Sequence, residues 1–441
     1  MALSLKPLSE QVIVITGASS GIGLATAQMA ADRGAKVVLV ARNSEALDEI
    51  VVGINNRGGK ALHVDADVAD EDTAERIADR AIEAFGGFDT WVNNAAAALY
   101  ARLEDVSIAE HRRVFDVGYF GLVLGSLEAA RHLRTRGGAI INVGSILSDR
   151  AVPVQGAYSA MKHAVRGFTD AFRMELENEG APISVTLIKP NGMDTPYPEH
   201  ARNKMGKPAR IPPVVYDPRL SAKAILFCAE NVKRNLIVGG GGLPIKLANL
   251  WPSAADAGME AIMDEKGQTT RTPPAPGTSD NLFEERVDGR IDSNQEELHV
   301  RRQSLYLEAQ MRPVAATAII SGAVAVAAGA IAFASKRRHN TAMQAALTAK
   351  DVKARLPEST TPSRLAEEST PQSSTATQRL STDEADPTQP ATLTDLTNAM
   401  AANGGAGMGG PDPLRGSSEI SLGGPDPMTS TTDKEVEAHP S

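Results

Sequence analysis

The chain has 441 residues, with 45 Lys and Arg against 54 Asp and Glu, a formal net charge of −9. That length is more than one compact domain usually needs. Residues 340–441 hold seven basic and 14 acidic side chains, so the remainder is nearly neutral, and no basic face for nucleic acid is present. A single cysteine, Cys228, excludes an internal disulfide and a thiolate metal cage, and we predict no metal site.

The first 250 residues alternate short apolar runs with helix-length amphipathic stretches. Lys6 and Pro7 interrupt any apolar run before the first of them, so we expect no signal peptide and synthesis of the body in a reducing compartment. Continuous apolar strands separated by helices predict a parallel sheet covered on both faces, a doubly wound α/β Rossmann domain with seven strands. The predicted strands are Val12–Ile15, Lys36–Val40, Ala61–Val64, Thr90–Val92, Ala139–Val143, Ser184–Ile188 and Leu236–Val238. The predicted helices are Gly23–Arg33, Ser44–Arg57, Asp70–Phe85, Ile108–Thr135, Ala157–Glu179 and Pro218–Glu230.

A glycine-rich turn follows the first strand and opens the first helix. Gly17 lets the chain leave the strand sharply, while Gly21 and Gly23 let backbone amides approach a pyrophosphate without interference from a Cβ. The position of this turn, after a strand and before a helix, is the context that a dinucleotide-binding motif needs.

Later strand ends carry further candidate cofactor contacts. Arg42 follows the second strand, where an acidic residue would hold a ribose 2′-hydroxyl, so we predict a preference for NADP(H), with NAD(H) as the alternative. Arg42 as a solvated surface residue is the competing interpretation. Asp67, followed by Val68, could accept a hydrogen bond from an adenine amino group. Asn94 and Ala95 follow the fourth strand and could line the cofactor ribose.

A candidate acid–base group follows the fifth strand. Tyr158 and Lys162 are four residues apart on one predicted helix, so they share a face, and Ser145 lies 13 residues upstream. A tyrosine pKa is roughly 10, and we expect the nearby ammonium to lower it. Tyr158 would then exchange a proton with a substrate oxygen to which Ser145 donates a hydrogen bond. Lys162 could also hold the nicotinamide ribose.

These motifs, in this order and spacing, resemble the short-chain dehydrogenase/reductase family over residues 1 to about 250. The resemblance implies a nicotinamide cofactor site, a Ser/Tyr/Lys centre formed by Ser145, Tyr158 and Lys162, and homodimers or homotetramers formed through the long helices. It also assigns Thr195, in the run from Pro190 to Thr195, to contact with the nicotinamide carboxamide. The resulting candidate cofactor-binding residues are Thr16, Gly17, Ser19, Gly21, Ile22, Gly23, Arg42, Asp67, Val68, Asn94, Ala95, Tyr158, Lys162 and Thr195.

Two positions depart from the family pattern. Ala96 replaces a glycine, a minor steric change. Gly118 stands where the family usually has a catalytic Asn that holds a water in the proton relay to the lysine. A water held by the backbone would have to replace that Asn, or turnover would be slow.

The segment after Pro190 is predicted to cover the substrate. Residues 191–216 are rich in proline and carry Met193, Tyr197 and Met205. This apolar character favours a lipophilic carbonyl or alcohol substrate. Residues 251–312 show no recognisable chemistry and are interpreted as an arm that connects the body to the next segment.

Residues 314–334 form an uncharged run as long as a bilayer-spanning helix requires. We predict a membrane helix over 313–335 that contacts lipid, with an amphipathic or buried packing helix as the alternative. Lys336, Arg337 and Arg338 follow it directly, which opposes export of the tail under the positive-inside tendency. Residues 336–441 are poor in large apolar side chains and are predicted to be a disordered acidic tail.

The sequence therefore predicts a membrane-associated oxidoreductase whose catalytic domain faces the cytoplasm. It would transfer a hydride between NADP(H) and a small-molecule carbonyl or alcohol. The competing hypothesis is a cofactor-binding scaffold or sensor with reduced catalysis, which only Gly118 supports.

Overall fold

The computed structural model describes residues 3–350, apart from 242–243, 246–247, 249, 274–278, 287–288, 296–297, 315–316, 318–320, 322–331, 339 and 348–349. The described residues belong to one compact unit, Met1–Ala354. The remainder of the chain, Arg355–Ser441, lies outside the described residues.

A seven-stranded parallel sheet is the centre of this unit, as the sequence predicts. Its strands are β1 (Val12–Thr16), β2 (Lys36–Ala41), β3 (Lys60–Asp65), β4 (Thr90–Asn93), β6 (Gly138–Val143), β7 (Ile183–Pro190) and β11 (Asn235–Val238). Their order across the sheet is β11-β7-β6-β4-β1-β2-β3. From β1 the chain adds β2 and β3 on one side, and then crosses to add β4, β6, β7 and β11 on the other side. In doubly wound sheets a ligand cleft forms at such a switch point.

Helices cover both faces of the sheet. They are α1 (Gly21–Asp32), α2 (Ser44–Asn56), α3 (Thr73–Phe85), α4 (Ile108–Phe115), α5 (Gly121–Arg136), α6 (Gly156–Glu179), α7 (Tyr197–His200) and α8 (Pro218–Glu230), followed by α9 (Pro252–Ile262) and α10 (Leu305–Met311). Alternate residues of β1 face opposite layers: Ile13 and Ile15 join one core cluster, and Val12 and Val14 join the other. This two-sided burial explains why the strands read as unbroken apolar runs.

The helix predicted over Ile108–Thr135 is instead two helices. A π-helical turn, Asp116–Phe120, separates α4 from α5 and contains Gly118. Apolar residues continue through this turn, so periodicity alone did not reveal the interruption. The extra residue of the turn lies beside α6, the helix that carries Tyr158 and Lys162.

Short strands close the base of the segment that is predicted to cover the substrate. β8 (Gly192–Met193) and β12 (Val300–Arg301) flank β10 (Val215–Tyr216) in a parallel three-stranded sheet. β5 (Leu99–Tyr100) pairs with β9 (Arg202–Asn203). Because β8 pairs with β10, the residues between these two strands form a loop whose two ends lie side by side.

The predicted arm, residues 251–312, packs against the body. Leu307 and Met311 of α10 are buried in the core cluster that contains Ile225 and Leu236. The Gln310 side chain accepts a hydrogen bond from Ile237 N at 3.0 Å and donates one to Ile237 O at 2.9 Å. The arm therefore covers the edge strand β11, whose backbone groups would otherwise be open to pairing with another chain.

Most of the predicted membrane segment lies outside the described residues, including 315–316, 318–320 and 322–331. Within the part of the chain that the structure describes, no helix is long and apolar enough to cross a membrane. Residues 336–338 and 340–347, which the sequence assigned to a disordered tail, are helical. Alanine, methionine and leucine favour this helix, so the predicted start of disorder at residue 336 is wrong. Residues 351–441 lie outside the described residues.

Candidate active site

The glycine turn between β1 and α1 is a backbone structure that excludes side chains. Gly17 has φ +67° and Gly21 has φ +53°, in the left-handed region that favours glycine. A Cβ on Gly23 would lie 2.0 Å from the Gly17 carbonyl oxygen. The close approach of the helix start to the preceding strand therefore requires glycine at position 23.

Asn94 and Thr16 hold the shape of this turn. The Asn94 side-chain amide donates to the carbonyl oxygens of Thr16 and Gly17, at 3.0 and 3.1 Å. The Thr16 hydroxyl accepts from the backbone amides of Asn94 and Ala95, at 3.0 and 3.1 Å. Asn94 and Ala95 also line the cleft. The hydrogen bonds of Asn94 and Ala95 hold the glycine turn in place between the ends of β1 and β4. Contact with the cofactor stays a prediction for both residues.

Asn93, the residue before this pair, points away from the cleft into a buried polar cluster. Its side-chain amide donates to Asn142 Oδ1 at 2.9 Å and to Ser126 Oγ at 3.0 Å, and Trp91 Nε1 donates to its oxygen at 2.8 Å. These contacts join β4 to β6 and α5. Asn93 is therefore a structural residue of the core.

The predicted adenine contact, Asp67, is paired with a residue that the sequence did not single out. Its carboxylate accepts from the Arg113 guanidinium of α4 and, at 3.0 Å, from Ala69 N. Asp67 and Val68 line the cleft. No local sequence signal identified Arg113, because it reaches Asp67 only through the packing of α4 over the strand ends.

Arg42 also lines the cleft, and its guanidinium donates to backbone carbonyls of the arm. Its partners are Asn281 O at 2.5 Å, Phe283 O at 3.1 Å and Glu284 O at 2.8 Å. Burial lowers the pKa of Arg42, with Asp67 opposing that shift. The interpretation of Arg42 as a solvated surface residue is therefore wrong.

Ser145, Tyr158 and Lys162 meet at the same cleft. Ser145 follows β6, and its hydroxyl accepts a hydrogen bond from Leu147 N at 3.1 Å. Tyr158 and Lys162 lie one turn apart near the start of α6. The Lys162 ammonium donates to Val143 O at 2.8 Å and lies 5.6 Å from the centre of the Tyr158 ring. The structure thus brings together the three residues of the predicted acid–base group.

The protonation states differ from the sequence expectation. Burial raises the pKa of Tyr158 to about 12, although hydrogen bonding with Ser145 and Tyr197 opposes this shift. Burial lowers the pKa of Lys162 to about 8. The expected lowering of the Tyr158 pKa is not seen, because burial dominates the pKa of both groups. Tyr158 is a protonated phenol at neutral pH.

Tyr197, at the start of α7, is a site residue whose role the sequence did not identify. Its ring packs edge-on against Tyr158, with centroids 5.5 Å apart, and against Tyr100 at 6.1 Å. Its hydroxyl donates to Gln155 Oε1 at 3.3 Å. Together these tyrosines give the substrate end of the cleft aromatic walls.

Met161 occupies the space beside Gly118. A Cβ at Gly118 would lie 2.5 Å from Met161 Cε and 2.7 Å from its sulfur. Met161 is fully buried. The room that a relay side chain at position 118 would need is therefore filled by the flexible end of the Met161 side chain, which would have to move to admit it.

A cavity of about 320 Å³ connects the glycine turn with Ser145, Tyr158 and Lys162. The predicted residues on its wall are Gly17, Ser19, Gly21, Ile22, Arg42, Asp67, Val68, Asn94, Ala95, Ser145, Tyr158, Lys162 and Thr195. Thr16 and Gly23 lie behind that wall and support the turn. A Cβ on Gly21 would lie 3.2 Å from Thr195 Cγ2, so the segment that follows β8 lies against the glycine turn. The side-chain-free turn and the buried ammonium fit a nicotinamide dinucleotide.

Fold and site together define a dinucleotide-dependent oxidoreductase, and comparison with known proteins gives its family. A family model described as short chain dehydrogenase matches residues 11–206. Uncharacterized oxidoreductase YxnA of Bacillus subtilis (strain 168) is 45% identical over 330 residues, which cover 74% of this chain and 92% of that protein. The chain belongs to the short-chain dehydrogenase/reductase family, as the sequence motifs indicated.

Two other relatives carry more specific names. Cis-4-hydroxycyclohexanecarboxylate dehydrogenase of Sinomonas cyclohexanicum is 35% identical over 243 residues, covering 52% of this chain and 93% of that protein. The 3beta-hydroxysteroid dehydrogenase of Mediterraneibacter gnavus is 34% identical over 193 residues, covering 44% of this chain and 69% of that protein. The YxnA match is longer than the 250-residue body, so it extends into the arm.

Proposed function

We propose that this protein is an NADP(H)-dependent oxidoreductase that interconverts an apolar carbonyl compound and its alcohol. The observation that carries this proposal is the meeting of Ser145, Tyr158 and Lys162 at one end of the cleft that the glycine turn opens at the other. A bound nicotinamide dinucleotide supplies the hydride in the reductive direction and accepts it in the oxidative one.

The side chains present can perform the proton transfer. In carbonyl reduction, the Tyr158 hydroxyl donates its proton to the substrate oxygen as that oxygen becomes an alkoxide. The Ser145 hydroxyl donates a hydrogen bond to the same oxygen. A phenol with a pKa of about 12 retains its proton at neutral pH and can serve as this acid. The Lys162 ammonium stabilises the negative charge that develops on Tyr158.

The test is NADPH oxidation with a panel of cyclic and long-chain ketones. We expect Tyr158→Phe to lower kcat by roughly 10²–10⁴-fold, the usual contribution of a general acid, without loss of NADPH binding. Tyr119→Phe is the matched control, because it removes a phenol from the π-helical turn Asp116–Phe120 that does not line the cavity. Turnover of Tyr158→Phe equal to the parent would show that the proposed acid is wrong.

The NADP(H) preference rests on Arg42. Its guanidinium lines the cleft next to the end of β2, and no carboxylate follows that strand where a ribose 2′-hydroxyl would be held. Arg42 gives three of its five N–H donors to carbonyls of the arm, so it can also donate to a phosphate while those contacts persist, and hydrogen bonds to an ionised acceptor are stronger.

The apolar substrate class is inferred from the cavity wall. Tyr100, Tyr197, Val152 and Ile211 line the end of the cavity near Tyr158. The names of two relatives, cis-4-hydroxycyclohexanecarboxylate dehydrogenase and 3beta-hydroxysteroid dehydrogenase, both refer to alcohols on a cyclic skeleton. We therefore expect cyclic ketones to be reduced more efficiently than short polar ones.

A second function has one specific observation in its favour. Met161 fills the space beside Gly118, where the family's relay Asn would project, so catalysis could be reduced in favour of a cofactor-binding scaffold or sensor. Steady turnover of NADPH with any ketone of the panel would exclude a purely sensing role.

Assembly and location are part of the same proposal. Large apolar side chains are about half exposed or more on α4, the π-helical turn, α5 and α6: Ile108, Phe120, Leu127 and Met174. A homodimer or homotetramer would cover them.

Membrane attachment through residues 314–334, with the body facing the cytoplasm, stays a prediction. Sedimentation of the full chain with vesicles in high salt, against a variant with Val324→Lys and Val326→Lys, tests it.

A further inference from the structure

The arm returns across the cofactor cleft, and the part that does so, residues 280–286 and 289–295, is here called the strap. Its carbonyl groups are hydrogen-bonded to residues predicted to bind the dinucleotide. At the adenosine end, Asn281, Phe283 and Glu284 accept from Arg42, and Leu282 O accepts from Arg113 Nε at 2.8 Å. Nothing in the sequence motifs anticipated these contacts.

The strap continues along the length of the cleft. The Arg290 carbonyl accepts from the backbone amide of Gly21, at 2.9 Å. At the nicotinamide end, the Ser293 hydroxyl donates to Asp194 Oδ1 at 2.5 Å, and Arg290 Nη2 donates to Glu199 Oε2 at 3.0 Å. The described parts of the strap, 280–286 and 289–295, are thus attached on both sides of the cleft.

The strap covers the cavity and leaves space beneath it. Asn281, Glu285 and Arg286 form part of the same cavity wall as Gly17 and Ile22. A cavity of about 320 Å³ remains between them. Glu285 and Arg286 add one negative and one positive side chain to this wall, and the Arg286 guanidinium donates to Glu199 O at 2.6 Å.

One buried side chain anchors the strap to the body. Leu282 is fully buried and packs in a core cluster with Val114 and Met161. Full burial of a leucine stabilises more than a partly exposed ion pair such as those of the strap. Leu282 is therefore the residue whose replacement would free the adenosine end of the strap.

We propose that the strap is a cofactor lid: it closes over the bound dinucleotide and slows its release, so that the cofactor is retained between turnovers. This inference rests on the proposed function, because it presumes that the cleft binds a nicotinamide dinucleotide. The opposite arrangement, a plug that competes with the cofactor, predicts effects of opposite sign.

The experiment measures release of NADPH from the full chain by stopped-flow fluorescence, with excess NADP⁺ as the displacing ligand. We expect Leu282→Ser to raise the release rate and the Kd at least tenfold. Leu305→Ser is the matched control, since Leu305 is 83% exposed just beyond the strap, and it should behave like the parent. Ser293→Ala, which removes the contact with Asp194, should raise the release rate several-fold.

The outcomes separate the lid from the function on which it depends. A release rate in Leu282→Ser that is unchanged, or tighter binding of NADPH, would overturn the lid. If Leu282→Ser fails to fold by circular dichroism, Ser293→Ala decides, and an unchanged release rate in that variant overturns the lid. If the parent chain binds neither NADPH nor NADH, the proposed function itself fails.

Discussion

The two ends of the cleft differ in which part of the chain forms them: the backbone forms one end, and side chains form the other. At the nucleotide end, the shape comes from the backbone, because Gly17, Gly21 and Gly23 leave no room for side chains. Asn94 donates to the carbonyl oxygens of Thr16 and Gly17 there. At the acid–base end, the chemistry comes from side chains whose burial shifts their pKa values. Substitutions at the nucleotide end should therefore abolish cofactor binding. Substitutions at the acid–base end should abolish turnover and leave cofactor binding intact.

The largest effect is expected from Gly23→Ala. The added methyl group would lie 2.0 Å from the Gly17 carbonyl oxygen, so the turn must open. We expect the Kd for NADPH to rise by roughly 100-fold or more, about 2.7 kcal/mol, measured by fluorescence titration. Gly167→Ala in α6 is the control, because nothing lies within 4 Å of its Cβ position. It should bind normally and be more stable by about 0.5–1 kcal/mol. Normal binding by Gly23→Ala would show that the turn is more adaptable than its geometry indicates.

The second largest effect is expected from Arg42→Asp, which should change the cofactor preference. We expect the parent to bind NADPH at least tenfold more tightly than NADH, about 1.4 kcal/mol, and Arg42→Asp to erase or reverse that ratio. The readout is the ratio of the Kd for NADPH to the Kd for NADH. Release of the strap alone should weaken the binding of both cofactors equally and leave this ratio unchanged. Leu282→Ser provides that comparison. Equal affinity of the parent for both cofactors would contradict the assignment.

A smaller effect should appear in the pH dependence of the acid–base end. Burial lowers the pKa of Lys162 to about 8, so its ammonium is charged below that pH and neutral above it. Tyr158 keeps its proton up to a pKa of about 12. The kcat of ketone reduction should therefore be level between pH 6 and 7.5 and fall several-fold as pH rises through about 8. A rate that stays level to pH 9.5 would mean that the charge of Lys162 is not needed.

The smallest effect on turnover is expected from changes at Gly118. Because Met161 fills the adjacent space, Gly118→Asn should destabilise the fold by about 1–3 kcal/mol, as overpacking does, and should not raise kcat. The double variant Gly118→Asn with Met161→Ser provides the missing room. Thermal unfolding and kcat of both variants check this, and higher turnover from the single substitution alone would show that Met161 moves aside readily.

The sequence predicted what depends on local order and spacing. Seven strands, the glycine turn and the pair Tyr158 and Lys162 are local patterns, and each was found where its pattern placed it. The pairing of Asp67 with Arg113, the filling of the Gly118 space by Met161 and the return of the strap were not predictable. All three are contacts between residues distant in sequence, and each depends on packing that no single segment specifies.

The contacts of Arg42 and Gly21 with the strap have an evolutionary consequence. They are made to carbonyl oxygens, and every amino acid supplies a carbonyl oxygen whatever its side chain. Mutations could replace most strap side chains without altering these hydrogen bonds, provided that the backbone keeps its course and Leu282 its burial. Homologous proteins could therefore share this element while their sequences diverge beyond recognition over the same stretch. Searches for it should look for its basic donors on the body, Arg42 and Arg113, and for a single buried apolar residue in the segment that crosses the cleft.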